Sequence, residues 1–301
     1  MNSLILPAPA KLNLYLEVLG RRPDGYHELE TLFERISLAD TLSFRRERKP
    51  GVRVTCSDPA VPCDDRNLVT RAADLLRRAY GFKGGVRIAV RKRIPVGAGL
   101  GGGSSDAATT LIACNRLFGL GLSRETLVGH ANELGSDVAF FVLNEKWAVG
   151  RGRGGDLTLV DLPGRLRFWH VLVVPRLEVL TRDVYAALKL PRKALGARQI
   201  FRLTRRGGGV NMLLPYLKSK DMPSLDKALY NRLTQVVLNK YTFVSEVYNS
   251  LHACNIGRVH MSGSGPSLFV LMKERHRAQR VFCALSRRLK DRCRLFLAST
   301  G

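Results

Sequence analysis

The chain has 301 residues, with 45% hydrophobic and 25% charged side chains, which is enough for two domains of ordinary size and excludes a disordered chain. No stretch approaches the ~20 consecutive apolar residues of a membrane-spanning helix, so no membrane partner is expected. Lysine and arginine number 49 against 25 aspartate and glutamate residues, a formal net charge of +24, and this excess predicts anionic partners.

The first half of the chain predicts a β-rich domain crossed by a few helices. Alternating apolar and polar residues predict a strand at 11–19, and further strands are predicted at 41–46, 52–56 and 84–91. Helical apolar spacing begins after Asn67 and ends at Gly81. Two more helices are predicted at 105–118, ended by Gly119, and at 124–134, with Ser123 as the N-cap.

The second half predicts alternating strands and helices. Composition changes near the glycine-rich residues 151–155, so we predict an N-terminal domain of residues 1–155 and a C-terminal domain of residues 156–301. Strands are predicted at 169–174, 256–262, 267–272 and 293–298, helices at 181–189, 196–204 and 274–290, and a long helical region at 224–253. The predicted fold class is therefore α+β.

The cysteines and the first residues indicate the compartment. Six cysteines are scattered without a Cys-x-x-Cys pair or clustered histidines. That spacing argues against zinc and redox motifs, so we predict no metal site built from protein side chains and expect isolated thiols in a reducing compartment. The first ten residues contain no basic segment, and their apolar run ends at Pro7. We therefore expect no signal peptide and a cytoplasmic location.

A glycine-rich stretch, Pro-Val-Gly-Ala-Gly-Leu-Gly-Gly-Gly-Ser-Ser at residues 95–105, joins a predicted strand to a predicted helix. Five glycines in the seven residues 97–103 allow backbone N–H groups to converge on one point, and the following helix N-terminus adds a positive dipole end. This arrangement predicts a phosphate-binding loop.

Other interpretations of the glycine stretch fit less well. A nucleoside-triphosphatase P-loop requires lysine after its last glycine, whereas Ser104 follows Gly103 here. Gly97, Gly99 and Gly102 match the dinucleotide fingerprint literally, yet a second helix follows and no acidic residue ends a strand about 20 positions later. A merely flexible loop would not require so long a glycine run at a helix start.

Three motifs in chain order resemble those of the GHMP kinases. They are Pro-Ala-Lys-Leu-Asn-Leu at 9–14, the glycine stretch at 95–105, and Met-Ser-Gly-Ser-Gly-Pro-Ser at 261–267. The resemblance implies a two-domain α+β fold, with a β-rich N-terminal domain crossed by helices and a sandwich-like α/β C-terminal domain. It also implies ATP as phosphoryl donor, with Mg²⁺ carried by ATP. The ATP-binding residues that it implies are Asn67, Pro95, Gly97, Gly99, Leu100, Gly101, Gly102, Gly103, Ser104 and Ser105.

Two further stretches resemble one branch of the family, whose acceptor is the 2-hydroxyl of a cytidine diphosphate-linked polyol. They are Arg-Pro-Asp-Gly-Tyr-His-Glu-Leu at 22–29 and Leu-Gly-Ser-Asp-Val-Ala-Phe-Phe at 134–141. The resemblance implies that Asp137 is the base and Lys11 the cation beside it. The acceptor-binding residues that it implies are Asn13, Tyr26, His27, Asp137, Thr181 and Tyr185.

In the acceptor site implied by this branch, Tyr26 and Tyr185 would stack on the cytosine while His27 hydrogen-bonds its pairing edge. From the residues alone, Lys11 is also consistent with a solvated lysine and Asp137 with a helix or turn cap. Tyr185 is equally consistent with an ordinary core or surface aromatic.

Two alternative functions stay open. Another GHMP kinase, acting for example on homoserine or mevalonate, would share the glycine stretch but not residues 22–29. A nucleic-acid-binding protein on a kinase-like fold would explain the positive charge. However, the basic runs are scattered and not interleaved with aromatic residues, so no dedicated nucleic-acid partner is expected. The oligomeric state does not follow from the sequence.

Overall fold

The computed structural model describes residues 2–162, 166–190 and 209–301. The chain divides into two compact units, each built from several segments. The first unit contains Met1–Ala10, Ala39–Val96 and Gly101–Glu145, and the second contains Lys11–Leu38, Gly97–Leu100 and Lys146–Gly301. The division into domains at residue 155 stays a prediction.

The strands are β1 (Ser3–Arg21), β2 (His27–Glu47), β3 (Gly51–Cys56), β4 (Gly85–Arg91), β5 (Trp147–Gly152), β6 (Asp156–Leu159), β7 (Trp169–Pro175), β8 (Tyr230–Asn231), β9 (His260–Met261), β10 (Leu268–Met272) and β11 (Cys293–Ser299). The helices are α1 (Leu68–Tyr80), α2 (Gly102–Phe118), α3 (Arg124–Leu134), α4 (Val138–Leu143), α5 (Thr181–Ala187), α6 (Leu213–Ser219), α7 (Met222–Ala228), α8 (Thr234–Lys240), α9 (Thr242–Ala253) and α10 (Arg275–Leu289). A short 3₁₀ helix at Gly209–Met212 precedes α6. Strands and helices occur in both units, so the predicted α+β class is confirmed.

In the first unit, helices pack beside a small sheet. Residues 41–47 of β2 pair antiparallel with β4, and β3 pairs parallel with β4. Strand β4 buries alternate residues, as its period-2 pattern predicts. Helix α1 begins and ends as predicted: the Asn67 side chain accepts a hydrogen bond from the backbone N–H of Val69, and Gly81 ends the helix at φ +58°.

The second unit contains an antiparallel sheet in the order β11-β7-β10-β9. The run Val171–Val174 in β7 is buried, and apolar residues of α8, α9 and α10 join it in one core. Residues of β1 and β2 form a second group of strands, in which β8 pairs parallel with β1 and β5 pairs antiparallel with β2. Within the described ranges, no helix has the length and apolarity that a membrane span requires.

Several predicted elements differ from the structure. The long helical region predicted at 224–253 is not continuous: α7, α8 and α9 occupy it, and the short strand β8 separates α7 from α8. Asn231 explains the break, since its side-chain amide donates 2.8 Å hydrogen bonds to the carbonyl oxygens of Met261 and Gly263 while β8 pairs with β1. Only His260–Met261 of the strand predicted at 256–262 forms. The helix predicted at 196–204 lies outside the described residues.

Candidate functional site

Two glycine motifs meet backbone to backbone in the second unit. Gly99 adopts φ +73°, and a Cβ atom there would lie 2.3 Å from the carbonyl oxygen of Ser262. Likewise, a Cβ atom on Gly263, at φ +57°, would lie 2.9 Å from the carbonyl oxygen of Gly99. Only glycine combines this left-handed conformation with so close an approach. Gly99 of the glycine stretch and residues 262–263, which are far apart in sequence, are therefore neighbours in the second unit.

The N-terminal motif joins the same place. The backbone N–H of Lys11 donates to the carbonyl oxygen of Leu100 at 3.0 Å, and that of Asn13 donates to Ser262 Oγ at 3.2 Å. The Ser262 hydroxyl in turn donates to the carbonyl oxygen of Gly99 at 3.1 Å. All three motifs thus share one hydrogen-bonded arrangement in the second unit.

Lys11 is buried, unlike a solvated lysine. It is 4% exposed, and its ammonium donates to Asn13 Oδ1 at 2.5 Å. The Asn13 amide nitrogen donates to Thr31 Oγ1 at 2.8 Å, which fixes the orientation of the amide. Because a buried ammonium is costly without polar partners, this arrangement holds a cation at a defined position.

The first turn of α2 presents backbone donors without a side-chain cap. Gly101 occupies the N-cap position at φ +71°, and no side chain caps the helix. Gly103 is exposed and Ser104 is half-buried. Ser105 is fully buried, and its hydroxyl has no hydrogen-bond partner in the described part of the chain. A helix start of this kind, with no acidic residue in its first turn, favours an anion.

Gly103→Ala tests whether this helix start binds phosphate. The nearest atom to an added Cβ would be Leu68 Cδ1 at 4.0 Å, so we expect the variant to fold with unchanged or slightly raised stability. We also expect the methyl group to hinder a phosphate from reaching the backbone, which should weaken ATP binding by about tenfold. Calorimetric titration with MgATP measures this, and an unchanged dissociation constant would remove the phosphate site from the start of α2.

Asp137 occupies the N-cap position of α4, but it does not act as a cap. Its side chain makes no hydrogen bond to the N–H groups of that helix, and it is half-buried. The next five residues, Val138–Val142, are all buried, so they anchor the helix and fix the backbone of Asp137. The cap interpretation is therefore disfavoured, and a carboxylate held at a rigid helix start suits a chemical role.

Three of the predicted acceptor-binding residues, Tyr26, His27 and Tyr185, present aromatic rings in the second unit. The rings of His27 and Tyr185 lie 4.8 Å apart at 33°. Tyr26 is 52% exposed, and the guanidinium of Arg153 lies 3.5 Å from its ring centroid. Burial, and secondarily Arg21, lower the pKa of His27, which favours the neutral imidazole, a ring that can both donate and accept hydrogen bonds.

The remaining predicted site residues have clear local roles. Thr181 begins α5, and its hydroxyl lies 2.8 Å from the Ser264 hydroxyl of the third motif. Asn67 caps α1 and also donates to the carbonyl oxygen of Pro62 at 2.7 Å. Both ends of the Asn67 amide are thus used within the protein, and its role in ATP binding stays a prediction. Pro95 is buried, and Gly97 is exposed at φ +63°.

Sequence reasoning missed several residues at the site. Ser262 lies in a motif that was recognised, but no role followed for its hydroxyl. Thr31 lies on β2 without any local signal. Asp40 and Lys92 were not singled out, although with Asp106 they form a buried group behind the glycine stretch.

The chain matches the family description of the GHMP kinase N-terminal domain at residues 67–145 and that of the GHMP kinase C-terminal domain at residues 213–291. It therefore belongs to the GHMP kinase family, as the three motifs predict, and it is an ATP-dependent kinase with the family's two-domain fold.

Two individual relatives carry the same enzyme name. The chain is 41% identical over 279 residues to the 4-diphosphocytidyl-2-C-methyl-D-erythritol kinase of Geobacter metallireducens, covering 93% of this chain and 92% of the relative. It is 38% identical over 278 residues to the enzyme of that name from Bacillus subtilis, covering 92% and 91%.

Solved structures agree with this similarity. A crystal structure of 4-(cytidine 5'-diphospho)-2C-methyl-D-erythritol kinase has a TM-score of 0.77 at 35% identity and covers 99% of both chains. Homoserine kinase from Cytophaga hutchinsonii has a TM-score of 0.72 at 20% identity, with 100% of this chain and 95% of that chain covered. At this lower identity the likeness concerns the fold alone.

Proposed function

We propose that the protein transfers the γ-phosphoryl group of ATP to the 2-hydroxyl of 4-diphosphocytidyl-2-C-methyl-D-erythritol and releases ADP, as a step of non-mevalonate isoprenoid precursor synthesis. The observation that carries the proposal is the convergence of Lys11, Gly99 and Ser262 in one hydrogen-bonded arrangement. It unites the three family motifs, and the buried Lys11 ammonium hydrogen-bonds to Asn13 of the first of them. The names of the relatives support the choice of acceptor.

The backbone of Gly99–Ser104 would hold the triphosphate through its N–H groups. Mg²⁺ would enter with ATP, because this hydrated ion is commonly held by phosphates with few protein ligands. The hydroxyls at the start of α2 fit that requirement, since Ser105 Oγ is buried without a hydrogen-bond partner among the described residues and Ser104 is half-buried beside it. They can bind a phosphate oxygen or magnesium-bound water.

Lys11 and Asp137 would carry the chemistry. Phosphoryl transfer passes through a loose transition state, so the protein mainly positions the reactants and neutralises charge. Asp137 would orient the acceptor hydroxyl and accept its proton, while the Lys11 ammonium would stabilise charge on the transferring group. The hydrogen bond from Lys11 to Asn13 keeps the ammonium in place for this role.

The acceptor would bind beside β2 and α5, in the second unit. Neutral His27 offers both a donor and an acceptor to the pairing edge of cytosine, and the exposed Tyr26 ring offers a stacking surface. Tyr185 and Thr181 would complete this side of the site, together with Asn13. The nucleoside is thereby recognised by rings and hydrogen bonds and needs no metal contact.

Replacing His27 by alanine tests the acceptor assignment. We expect the KM for the cytidine substrate to rise roughly tenfold, with ATP affinity nearly unchanged, because one base contact is lost. In the unmodified enzyme, this KM should also rise as pH falls through the lowered pKa of His27, since protonation removes an acceptor. His276→Ala, an exposed histidine, is the control. A fall in ATP affinity would place His27 in the other site.

ATP consumption assayed with a panel of acceptors tests the proposal as a whole. The panel contains 4-diphosphocytidyl-2-C-methyl-D-erythritol, homoserine and mevalonate. Turnover that requires the first compound supports the proposal, whereas turnover with homoserine or mevalonate would favour another GHMP kinase activity. A nucleic-acid-binding protein would show salt-dependent nucleic-acid affinity and no need for Asp137.

We place the enzyme in the cytoplasm, where its nucleotide substrates are made. The six cysteines, all within the described residues, are free thiols, which suits a reducing compartment. Localisation of a tagged protein in intact cells checks this assignment.

A further inference from the structure

A buried group of three charges lies in the first unit, and the proposed chemistry does not use it. The side chain of Lys92 is 6% exposed, that of Asp40 is 0% exposed and that of Asp106 is 6% exposed. The Lys92 ammonium donates to Asp40 Oδ2 and, at 2.8 Å, to Asp106 Oδ2. We refer to these three residues as the Lys92 cluster.

The Lys92 cluster contacts the chain on both sides of the glycine stretch. On the entry side, Asp40 Oδ1 accepts hydrogen bonds from the backbone N–H groups of Arg93 at 2.5 Å and Ile94 at 2.9 Å, directly before Pro95. On the exit side, Asp106 lies on α2, which begins at Gly102. Lys92 links the two carboxylates, so one ammonium ties the entry of the stretch to the helix at its exit.

Gly102 brings the start of α2 against this cluster. A Cβ atom there would lie 3.0 Å from Ile94 Cγ2 and 3.3 Å from the Lys92 ammonium. Gly102, the first residue of α2, therefore packs against Ile94 and Lys92. A displacement of Lys92 or Ile94 would be transmitted to the backbone at 102, where the phosphate-binding N–H groups begin.

The buried charges of the Lys92 cluster are better suited to fixing the positions of neighbouring residues than to stabilising the protein. Burial raises the pKa of Asp106 above its ordinary value, although the Lys92 ammonium opposes that shift. Buried ion pairs often stabilise a protein no more than apolar packing of the same volume would, whereas removing one partner is strongly destabilising. The Lys92 cluster instead fixes the relative positions of its three residues, because each of its hydrogen bonds has a defined donor and acceptor.

We propose that Lys92, Asp40 and Asp106 are positioning residues for ATP: they hold both sides of the glycine stretch so that the N–H groups at the start of α2 point at the triphosphate. None of the three touches substrate in this role. The inference rests on the proposed function only in that the nucleotide is ATP, and it is independent of which acceptor is phosphorylated.

Two substitutions at Asp106 separate geometry from charge. Asp106→Asn keeps an acceptor for Lys92 and removes the negative charge, so we expect it to retain MgATP affinity within about threefold. Asp106→Ala removes the acceptor, and we expect MgATP affinity to fall by about tenfold or more. Affinity for CDP, measured on the same folded samples, should change little in either variant. Arg91→Gln, an exposed cation, is the control and should match the unmodified protein.

Calorimetric titration with MgATP and with CDP measures these affinities without any turnover of the acceptor. If the acceptor assignment is wrong, the unmodified protein will not bind CDP, and this outcome is distinct from a change in MgATP affinity. The proposal is overturned if folded Asp106→Ala binds MgATP normally, if asparagine and alanine impair binding equally, or if MgATP and CDP affinities fall together. If Asp106→Ala does not fold, Lys92→Gln takes its place with the same expectations. If neither folds, the cluster serves stability alone and the positioning role is rejected.

Discussion

Replacing Asp137 by asparagine is expected to lower kcat by roughly 10²–10⁴, the usual contribution of a positioned base. Asparagine keeps the shape and can still hydrogen-bond, but it removes the charge that accepts the proton. Because the side chain makes no capping hydrogen bond to α4, the substitution should leave the helix start and the thermal transition nearly unchanged. The affinities for ATP and for the acceptor should change much less than kcat. If the proton leaves the acceptor hydroxyl only after the loose transition state, the decrease in kcat lies near the lower end of this range.

Single-turnover phosphoryl transfer at saturating ATP and acceptor measures this effect directly. Asp65→Asn, which changes an exposed carboxylate of the same unit, is the matched control and should react at the normal rate. A folded Asp137→Asn enzyme with a rate within about threefold of the unmodified protein would assign the proton transfer to another group.

Gly99→Ala is expected to destabilise the protein by about 2–5 kcal/mol, the sum of a left-handed backbone penalty and an overpacked contact. The residue has φ +73°, and the added Cβ would lie 2.3 Å from the carbonyl oxygen of Ser262. Because this oxygen belongs to the backbone, no side-chain rotation relieves the clash. ATP turnover should fall as well, since the glycine turn would have to move away from the motif at 261–267.

Chemical denaturation measures the free energy of unfolding, and the ATP consumption assay measures the loss of turnover. Gly129→Ala is the control, because this exposed glycine of α3 has no atom within 4 Å of an added Cβ, and alanine should stabilise the helix by roughly 0.5–1 kcal/mol. Normal stability of Gly99→Ala would mean that the two glycine motifs are not packed as described.

Local signals predicted much of the fold. Asn67, Gly81 and Ser123 marked helix ends correctly, because capping and left-handed glycine conformations depend on a few adjacent residues. The break that β8 makes in the helical region predicted at 224–253 was not predicted, for the opposite reason. The apolar spacing of this region is helical, but Asn231 hydrogen-bonds to residues about 30 positions later in the chain, and no local pattern reveals such partners.

The candidate site likewise combines features that the sequence predicts with features that only the structure shows. The glycine stretch, the buried strand bearing Lys11 and the aromatic pair at 26–27 were predicted from motifs that are contiguous in sequence. The sequence did not distinguish a buried Lys11 from a solvated one, or a capping Asp137 from a non-capping one. The structure decides both, since Lys11 is 4% exposed and Asp137 makes no capping bond.

By itself, the sequence determined the family, the α+β class and the position of the glycine stretch, because glycine runs and caps act through the local backbone. Only the tertiary structure decided why the glycines are required and what holds the loop. Gly99 meets Ser262, which lies 163 residues away, and Lys92 meets Asp40 and Asp106, which lie 52 and 14 residues away. Buried charges and close backbone contacts depend on partners that folding brings together, and their spacing in the chain carries no periodic signal.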